Sequence, residues 1–453
     1  MKTIDTYQNF YFVGIGGIGM SALARYFHSI GKKVLGYDKT RTKLTTTLEK
    51  EGIEIIFEDN ISPVIEALSP EDTFVIYTPA IKKLAILNYF QAQEFTILKR
   101  AKVLGMITAD TQCLAVAGTH GKTTTSTLLA HLCKEVNLPF SCFLGGISEN
   151  FKSNFLFNGN DYSVVEADEY DRSFLNLHPN WAIITSTDAD HLDIYGDKAT
   201  IEEGFRSFGA LVENHHQLLV RKGIDIGLPC RNYAVNEVAD FYSDNLSMKD
   251  GKTEFDFHAP NWPVTRFSWE IPGIHNVENA TAALAIMLGL GAKMEDLQLA
   301  LSKFKGIKRR FTKHIFSSGK IYIDDYAHHP TELNAVIGSA KAFYPGKKLL
   351  VVFQPHLYSR TRDFEDDFAN SLGQADELLL LDIYPARELQ EDFVGVTSEH
   401  LLSKINLKDK EVVHLNEALD KIKTKEFDIL LTVGAGNIDT LYDGIVSWLD
   451  NQK

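Results

Sequence analysis

The chain has 453 residues, of which 44% are apolar and 23% charged, a composition typical of globular proteins at a length that predicts three domains rather than one core. The formal net charge of −14 argues against nucleic acid and anionic membranes as partners, because both bind basic faces. The four cysteines lack metal-ligand spacing, and neither a signal peptide nor an apolar run of transmembrane length is apparent, so we expect a cytoplasmic protein with reduced thiols.

The first predicted elements form a nucleotide-binding turn. An apolar strand over residues 10–13 runs into a glycine-rich turn, a helix follows, and a second strand ends at Asp38. In this pattern the glycines let the backbone approach a diphosphate and the acid binds a ribose, so the pattern alone does not separate NAD from other diphosphate nucleotides. A further strand over residues 73–77 brings its following loop to the same sheet edge. We therefore predict a Rossmann-like domain over residues 1–107.

The next motif predicts a phosphate-binding loop. An apolar strand over residues 113–117 is followed by Gly-Thr-His-Gly-Lys-Thr-Thr at residues 118–124 and by leucines at helical spacing. Such a turn directs backbone N–H groups at phosphate, while its lysine and hydroxyl reach phosphate oxygens and Mg2+. Val116 stands where the usual pattern has its first glycine. The alternative, an ordinary strand-to-helix turn, is less favoured because packing does not explain Gly-Lys-Thr-Thr directly after a buried strand.

Two acidic clusters follow strands in the same central domain, which we place at residues 108–312. Glu166 opens the first cluster after a strand over residues 162–165, and His191 belongs to the second cluster, after a strand over residues 181–184. Carboxylates at strand ends suit Mg2+ held against ATP oxygens, and a solvated acidic loop is the alternative for either cluster alone.

The end of the central domain changes pattern. Alternating apolar and polar residues between about 230 and 272 predict a small antiparallel sheet. A helix follows from Asn276, which capping explains without a ligand. Asn279 lies one turn further into the helix, where capping does not explain it. A competing interpretation is that its side-chain amide forms hydrogen bonds with the edge of a nucleotide base.

The third predicted domain, residues 313–453, is again doubly wound. Strands over residues 321–324, 349–353, 377–381 and 429–433 alternate with helical stretches. His328 and Arg360 follow two of these strands, and such side chains suit an anionic or zwitterionic substrate because arginine binds carboxylates with a planar fork.

Taken together, the motifs resemble the Mur ligases of bacterial cell-wall synthesis along the whole chain. The resemblance rests on Gly118 to Thr124, Glu166-Ala-Asp-Glu, Asp190-His191, His275-Asn276, Asn279-Ala280, Arg309-Arg310-Phe311 and Asp324 to Pro330. Residues 14–20 and 353–363 are most similar to the members that attach L-alanine to UDP-N-acetylmuramate. The resemblance implies a three-domain α/β ligase, in which Rossmann-like terminal domains flank a central ATPase with a mainly parallel sheet. It also implies ATP and Mg2+ (for which Mn2+ can substitute), a cytoplasmic location, and a monomer or homodimer.

The resemblance also implies roles for individual residues. Lys122 would bind the ATP phosphates, Thr123 and Glu166 would hold one Mg2+, and His191 a second. His275 and Asn279 would line the adenine pocket, Arg310 and Asp325 would help to close the third domain on the nucleotide, and His328 and Arg360 would face L-alanine. The remaining ATP-binding residues would be Gly118, Thr119, His120, Gly121 and Thr124. The UDP-sugar would be bound by Gly14, Gly16, Gly17, Ile18, Gly19, Asp38, Thr78, Ala80, Ile81 and Arg100.

Three positions depart from the family patterns. Phe205 stands where several relatives have a lysine that becomes a carbamate, Leu357 where many alanine-adding members have arginine, and Tyr170 where many have serine. Tyrosine at that last position is frequent in the ligase that attaches an intact tripeptide to the same UDP-sugar, which is the alternative within the family. A nicotinamide-dependent dehydrogenase is an alternative from another class, but it leaves Lys122, Glu166 and His191 without a role. A nucleotide-binding regulator that has lost catalysis is a further alternative, and the presence of all three residues argues against it.

Overall fold

The computed structural model describes residues 4–79, 81, 83–188, 198–249, 251–386 and 388–452. Three sheets of five, ten and six strands succeed one another along the chain. The strands are β1 (Asn9–Val13), β2 (Lys33–Tyr37), β3 (Glu54–Ile56), β4 (Thr73–Tyr77), β5 (Thr96–Lys99), β6 (Gln112–Ala117), β7 (Phe140–Ser148), β8 (Ser153–Phe157), β9 (Tyr162–Glu166), β10 (Pro179–Ile184), β11 (Leu218–Arg221), β12 (Arg231–Val235), β13 (Phe241–Lys249), β14 (Lys252–His258), β15 (Thr265–Trp269), β16 (Thr312–Ile315), β17 (Ile321–Asp325), β18 (Leu349–Phe353), β19 (Glu377–Leu381), β20 (Lys410–Val413) and β21 (Ile429–Val433).

Helices connect most of these strands. The α-helices are α1 (Ile18–Ser29), α2 (Lys43–Lys50), α3 (Pro63–Glu66), α4 (Ala85–Ala92), α5 (Arg100–Ala109), α6 (Lys122–Glu135), α7 (Lys198–Gly209), α8 (Ile274–Gly289), α9 (Met294–Ser302), α10 (Pro330–Phe343), α11 (Tyr358–Asp363), α12 (Glu365–Leu372), α13 (Ser398–Lys404), α14 (Leu415–Lys423) and α15 (Tyr442–Asp450). Short 3-10 helices cover Ile4–Thr6, Tyr170–Asn176, His215–Gln217, Gln390–Asp392 and Asn437–Leu441. Within the described residues, every helix falls short of the length and apolar character that a membrane span requires.

The first sheet has the strand order β3-β2-β1-β4-β5, and all its strands run parallel. Its strands are almost wholly apolar because helices cover both faces of a parallel sheet. The strand order reverses beside β1, and ligands of such sheets bind at the carboxyl ends of the strands at this point. The turn that follows β1 at Val13 is therefore in the position of a nucleotide site.

The second sheet has the order β15-β14-β13-β12-β11-β10-β6-β9-β7-β8. Strand β6 lies between β10 and β9 and is parallel to both, whereas β7 and β8 pair antiparallel. Residues 113–117 of β6 have no exposed surface, which places the phosphate-binding motif at the end of a fully buried strand. Strands β13, β14 and β15, in the region where the sequence predicts antiparallel strands, continue one edge of this sheet.

The third sheet has the order β16-β17-β21-β18-β19-β20, with an antiparallel pair only between β16 and β17 among the described strands. Strands β17, β18, β19 and β21 are buried along their whole length. These three sheets confirm the predicted three-domain α/β architecture.

By compactness the chain divides into two units. The first unit comprises residues 1–245, 256–267 and 275–304, and the second comprises residues 246–255, 268–274 and 305–453. The whole first sheet and strands β6 to β12 of the second sheet therefore lie in the first unit, whereas β13, β14 and β15 are divided between the two units. The predicted domain limits at residues 107 and 312 stay predictions.

A buried polar cluster joins the first two sheets. The Asn154 amide, on β8, donates to the Ile18 carbonyl over 2.6 Å and to Ser21 Oγ over 3.0 Å. Arg25 donates to Asn154 Oδ1 and forms an ion pair with Glu51 at 2.7 Å. Asn154 has no exposed surface and Arg25 only 7%, and buried groups of this kind require the partners that they have here. Helix α1, which begins at the glycine-rich turn, is thereby fixed to the second sheet.

Candidate active site

The phosphate-binding motif forms a tight loop between β6 and α6. Gly118 and Gly121 have φ angles of 135° and 81°, which glycine adopts without steric cost. Ser186, directly after β10, holds the loop, because its Oγ lies 2.8 Å from Thr119 Oγ1 and accepts the His120 N–H over 2.7 Å. The loop thus keeps its shape through side chains of the neighbouring strand end.

Lys122 opens helix α6 and its ammonium group turns back onto the loop. Its Nζ donates to the carbonyls of Gly118 at 2.5 Å and Thr119 at 3.3 Å. It also forms an ion pair with Glu169 at 2.8 Å. The lysine predicted to bind phosphate therefore lies inside the loop, beside the first acidic cluster.

Thr123 lies against the first acidic cluster. Its hydroxyl donates to Glu166 Oε1 over 3.0 Å, and the Gly145 amide donates to Glu166 Oε2 over 3.0 Å. Burial raises the pKa of Glu166, while the nearby Lys122 ammonium lowers it in part. A half-buried carboxylate beside a threonine hydroxyl at a phosphate loop matches the oxygen ligands that Mg2+ takes from proteins when substrate phosphates supply others.

His191, the predicted ligand of a second Mg2+, lies outside the described residues. Among the residues that are described, no group of three or more histidine, cysteine or acidic side chains is placed to hold a metal ion. Mg2+ keeps several waters and often needs only one or two carboxylates with substrate phosphates, so Thr123 and Glu166 fit a magnesium site that a nucleotide completes.

Asn279 lies beside the same loop. It is 7% exposed, and a Cβ placed on Gly121 would lie 2.8 Å from Asn279 Oδ1. His275, one turn earlier in α8, is exposed, and Thr124 is half-buried in the first turn of α6. The structure therefore places Asn279 against the phosphate loop, and its predicted contact with adenine stays a prediction.

The glycine-rich turn after β1 is closely packed around the predicted nucleotide residues. The Gly16 amide donates to Asp38 Oδ2 over 2.8 Å. A Cβ on Gly14, where φ is 88°, would lie 2.7 Å from Thr78 Cγ2 and 2.9 Å from Ile81 Cδ1. The turn thus needs glycine at Gly14 and Gly16 because the neighbouring side chains occupy the space.

The end of the turn meets Arg100. A Cβ on Gly19 would lie 2.5 Å from Arg100 Nη1, while Gly17 precedes α1 as its N-cap and Ile18 is 37% exposed. Ala80 lies outside the described residues.

Arg100 also faces the acidic cluster of the second sheet. Its Nη2 lies 3.6 Å from Asp168 Oδ2, and Arg100, Glu166 and Asp168 line one shallow pocket together with Ala101, Leu104, Ser173, Phe174 and Leu177. Arg100, which packs beside Gly19 of the glycine-rich turn, and Glu166, which bonds to Thr123, therefore line the same pocket of the first unit.

In the second unit, Asp325 is a buried carboxylate at the end of β17. It is 9% exposed and accepts the backbone N–H groups of Phe311 over 2.7 Å and Ala327 over 2.8 Å. Burial raises the pKa of Asp325 to about 6, and Arg310 opposes that shift. Arg309 and Phe311, on either side of Arg310, have φ angles of 61° and 53°. The strained backbone at residues 309–311 is held in part by the hydrogen bond from the Phe311 N–H to Asp325.

His328 and Arg360 follow β17 and β18 in the second unit. Burial lowers the pKa of His328, and the Glu332 carboxylate, 3.5 Å from its Nδ1, raises it in part. Arg360 Nη1 lies 3.2 Å from His356 Nδ1, and the rings of His328 and His356 are 6.0 Å apart. The structure thus brings His328 and Arg360 together through His356. Leu357, directly before α11, has a φ of 72°.

Sequence reasoning did not assign Glu169, Thr185 or Ser186. Glu169 belongs to the acidic run that the sequence singles out, but nothing in its spacing indicates that it pairs with Lys122. The Thr185 hydroxyl donates to the Ala117 carbonyl over 3.1 Å. Hydroxyl residues after a strand are common, so only their position two residues or fewer beyond an apolar strand could have drawn attention to them.

Three family models match successive parts of the chain. The Mur ligase family, catalytic domain, matches residues 9–112, the Mur ligase middle domain matches residues 116–287, and the Mur ligase, glutamate ligase domain, matches residues 309–436. The chain therefore belongs to the Mur ligase family.

Known proteins refine this assignment. A protein of Flavobacterium psychrophilum named UDP-N-acetylmuramate--L-alanine ligase is 49% identical over 99% of this chain and all of its own length. The crystal structure of UDP-N-acetylmuramate-alanine ligase MurC from Thermotoga maritima superposes with a TM-score of 0.83 at 27% identity, over 98% of this chain and 100% of that one. A murein peptide ligase from Psychrobacter arcticus shares the fold, with a TM-score of 0.70 at 22% identity over 98% and 99% of the two chains.

Proposed function

We propose that the protein joins L-alanine to the lactyl carboxylate of UDP-N-acetylmuramate with ATP, and releases UDP-N-acetylmuramoyl-L-alanine, ADP and phosphate. The observation that carries the proposal is the meeting of Lys122, Thr123 and Glu166 at the end of β6, in a chain that matches an L-alanine ligase over its full length. The product belongs to peptidoglycan synthesis, and reduced cysteines agree with a cytoplasmic location.

The reaction proceeds through an acyl phosphate. The lactyl carboxylate attacks the terminal phosphoryl group of ATP, ADP leaves, and the amine of L-alanine then displaces phosphate from the activated carbonyl. Lys122 offsets negative charge as phosphoryl oxygens approach the carboxylate, and the N–H groups of the loop fix the phosphates. Bound Mg2+ would supply further charge neutralisation at these oxygens, with Thr123 and Glu166 as its protein ligands.

The sugar nucleotide binds at the glycine-rich turn. Gly14 and Gly16 let the turn pack closely against its neighbouring side chains, so that its backbone can approach the diphosphate, and Asp38 fixes the turn through the Gly16 amide. Arg100 carries positive charge from this turn to the pocket that Glu166 lines, where it would attract the lactyl carboxylate. The two substrates of the first step thereby meet within the first unit.

L-Alanine binds in the second unit. Arg360 offers a planar fork to the amino-acid carboxylate. Burial lowers the pKa of His328 and so favours its neutral form, which can accept a proton from the ammonium group of alanine before the amine attacks. Arg310 and Asp325 remain candidates for contact with the nucleotide.

Measurement of phosphate release from ATP, Mg2+ and UDP-N-acetylmuramate with different acceptors tests this function. We expect faster turnover with L-alanine than with the tripeptide L-alanyl-γ-D-glutamyl-meso-diaminopimelate, and faster tripeptide turnover would overturn the choice of acceptor. ATP-dependent phosphate release without a change in NADH absorbance rejects the dehydrogenase alternative.

A further inference from the structure

The Lys122 ammonium is fully engaged without a nucleotide. An ammonium group has three N–H donors, and three groups accept from it here: the Gly118 carbonyl at 2.5 Å, the Thr119 carbonyl at 3.3 Å and the Glu169 carboxylate at 2.8 Å. The two carbonyls belong to the loop itself. Glu169 is therefore the partner that a phosphate oxygen would have to replace.

The ion pair between Lys122 and Glu169 is buried, so a phosphate has to compete with a strong interaction for the ammonium group. The side chains of Lys122 and Glu169 are 14% and 3% exposed, and solvent screens such a pair much less than a surface pair. The pair between Arg100 and Asp168 is a useful contrast, since its atoms are 3.6 Å apart and the Asp168 side chain is 43% exposed. Of these two ion pairs, that between Lys122 and Glu169 is the shorter and the more deeply buried.

Backbone geometry holds Glu169 in place. The Arg172 amide donates to the Glu169 carbonyl over 2.8 Å, and Asp171 and Arg172 both have a φ of 52°. Non-glycine residues in this conformation persist only where the surroundings impose it. The segment after β9 is thus shaped so that its second acid points at the phosphate loop rather than at solvent.

We propose that Glu169 is a positioning residue that acts as a resting counter-ion for Lys122: it holds the ammonium where a nucleotide phosphate will bind and releases it when the nucleotide enters. The ion pair stabilises the empty loop and weakens nucleotide binding by the same competition. This inference rests on the proposed function, because it requires that Lys122 bind ATP.

The test compares the wild-type chain with Glu169→Gln, which removes the charge but keeps the shape. Isothermal titration calorimetry with ATP, with and without Mg2+, should give a dissociation constant about tenfold lower for the variant. In the variant the phosphate no longer has to displace a carboxylate from the Lys122 ammonium group. The variant should melt a few degrees lower than wild type without nucleotide, and saturating ATP should close that gap. A purely structural glutamate would lower both melting temperatures alike.

The matched control is Glu213→Gln, which removes one exposed charge from the same unit and should change neither quantity. Unchanged or weaker ATP binding by the Glu169 variant would overturn the inference, and loss of binding only in the presence of Mg2+ would make Glu169 a metal ligand instead. If wild type itself does not bind ATP, the proposed function fails and not this inference alone.

Discussion

Thr123 Oγ1 donates a 3.0 Å hydrogen bond to Glu166 Oε1, which joins the first turn of α6 to the end of β9. The two oxygens are the proposed protein ligands of Mg2+, so removing the hydroxyl while keeping the side-chain shape should impair phosphoryl transfer. We expect Thr123→Val to lower kcat by roughly 100-fold. Thr123→Ser, which keeps the hydroxyl, should stay within a few-fold of wild type. Equal activity of the two variants in phosphate-release assays would argue against a ligand role.

Lys122 should be essential for chemistry but not for the sugar nucleotide. We expect Lys122→Ala to lower kcat/KM more than about 1,000-fold, because phosphoryl charge loses its closest cation. The dissociation constant of UDP-N-acetylmuramate, measured by titration calorimetry, should change by less than about threefold, since the glycine-rich turn belongs to another sheet. An equal loss of sugar-nucleotide binding and activity would contradict this separation of the sites.

The glycine-rich turn offers a test of steric requirement. Gly14→Ala places a Cβ 2.7 Å from Thr78 Cγ2 at a φ of 88°, and we expect UDP-N-acetylmuramate to bind about tenfold or more weakly. Gly31→Ala is the control, because it has a similar φ of 81° with no atom within 4 Å of the added Cβ. Both variants carry the backbone strain of a positive φ, but only Gly14→Ala adds a steric clash. If Gly31→Ala weakened the binding of UDP-N-acetylmuramate as much as Gly14→Ala, or if it alone weakened it, the steric explanation would be excluded.

Arg360 should determine recognition of the acceptor. Lysine keeps the charge but loses the planar fork, so Arg360→Lys should raise KM for L-alanine about tenfold while the KM values of ATP and UDP-N-acetylmuramate stay near wild type. Arg362→Lys changes a 56% exposed side chain of the same helix, where Arg362 pairs with Asp363, and should have little effect. A similar rise in both variants would place the amino-acid carboxylate elsewhere.

Asp325 should make stability depend on pH. Its pKa rises from the ordinary 3.8 to about 6 in the folded protein, so between these values the folded protein binds more protons than the unfolded chain. Rising pH through this window therefore removes stability, by up to about 3 kcal/mol for the full shift. The loss is nearly complete about one pH unit above the folded-state pKa.

Urea unfolding of wild type and Asp325→Asn at pH 4.5 and pH 7 measures this component. Because asparagine does not ionise, the stability of wild type relative to the variant should be greater at pH 4.5 than at pH 7. Asp420→Asn, at an 84% exposed side chain of the same unit, should show no such difference. A wild-type advantage that grows towards pH 7 would reverse the sign of the expected effect.

Apolar runs made much of the fold predictable. The strands over residues 73–77, 349–353, 377–381 and 429–433 have the predicted bounds, because each consists mainly of apolar residues, as is typical of strands in a sheet whose two faces are both covered. The same logic located the glycine-rich turn and the phosphate loop, since both follow such strands directly.

Contacts between distant segments were not predictable. The bond from Asn154 to the Ile18 carbonyl joins residues 136 positions apart, and the pairing of Glu169 with Lys122 depends on strained backbone at Asp171 and Arg172. Neither contact is indicated by the periodicity or the composition of the sequence. The strand order of the central sheet, in which β10 and β9 flank β6, likewise follows from packing and not from order along the chain.

The buried cluster of Asn154 and Arg25 limits how these ligases can be recombined. A chimera that exchanged only the first sheet would leave Asn154 facing a foreign helix, and an isolated first domain would expose the Arg25 side chain without its amide partner. Grafting the proposed sugar-nucleotide site of this protein onto a relative therefore requires transfer of β8 together with α1, although the two are separated by more than a hundred residues of sequence.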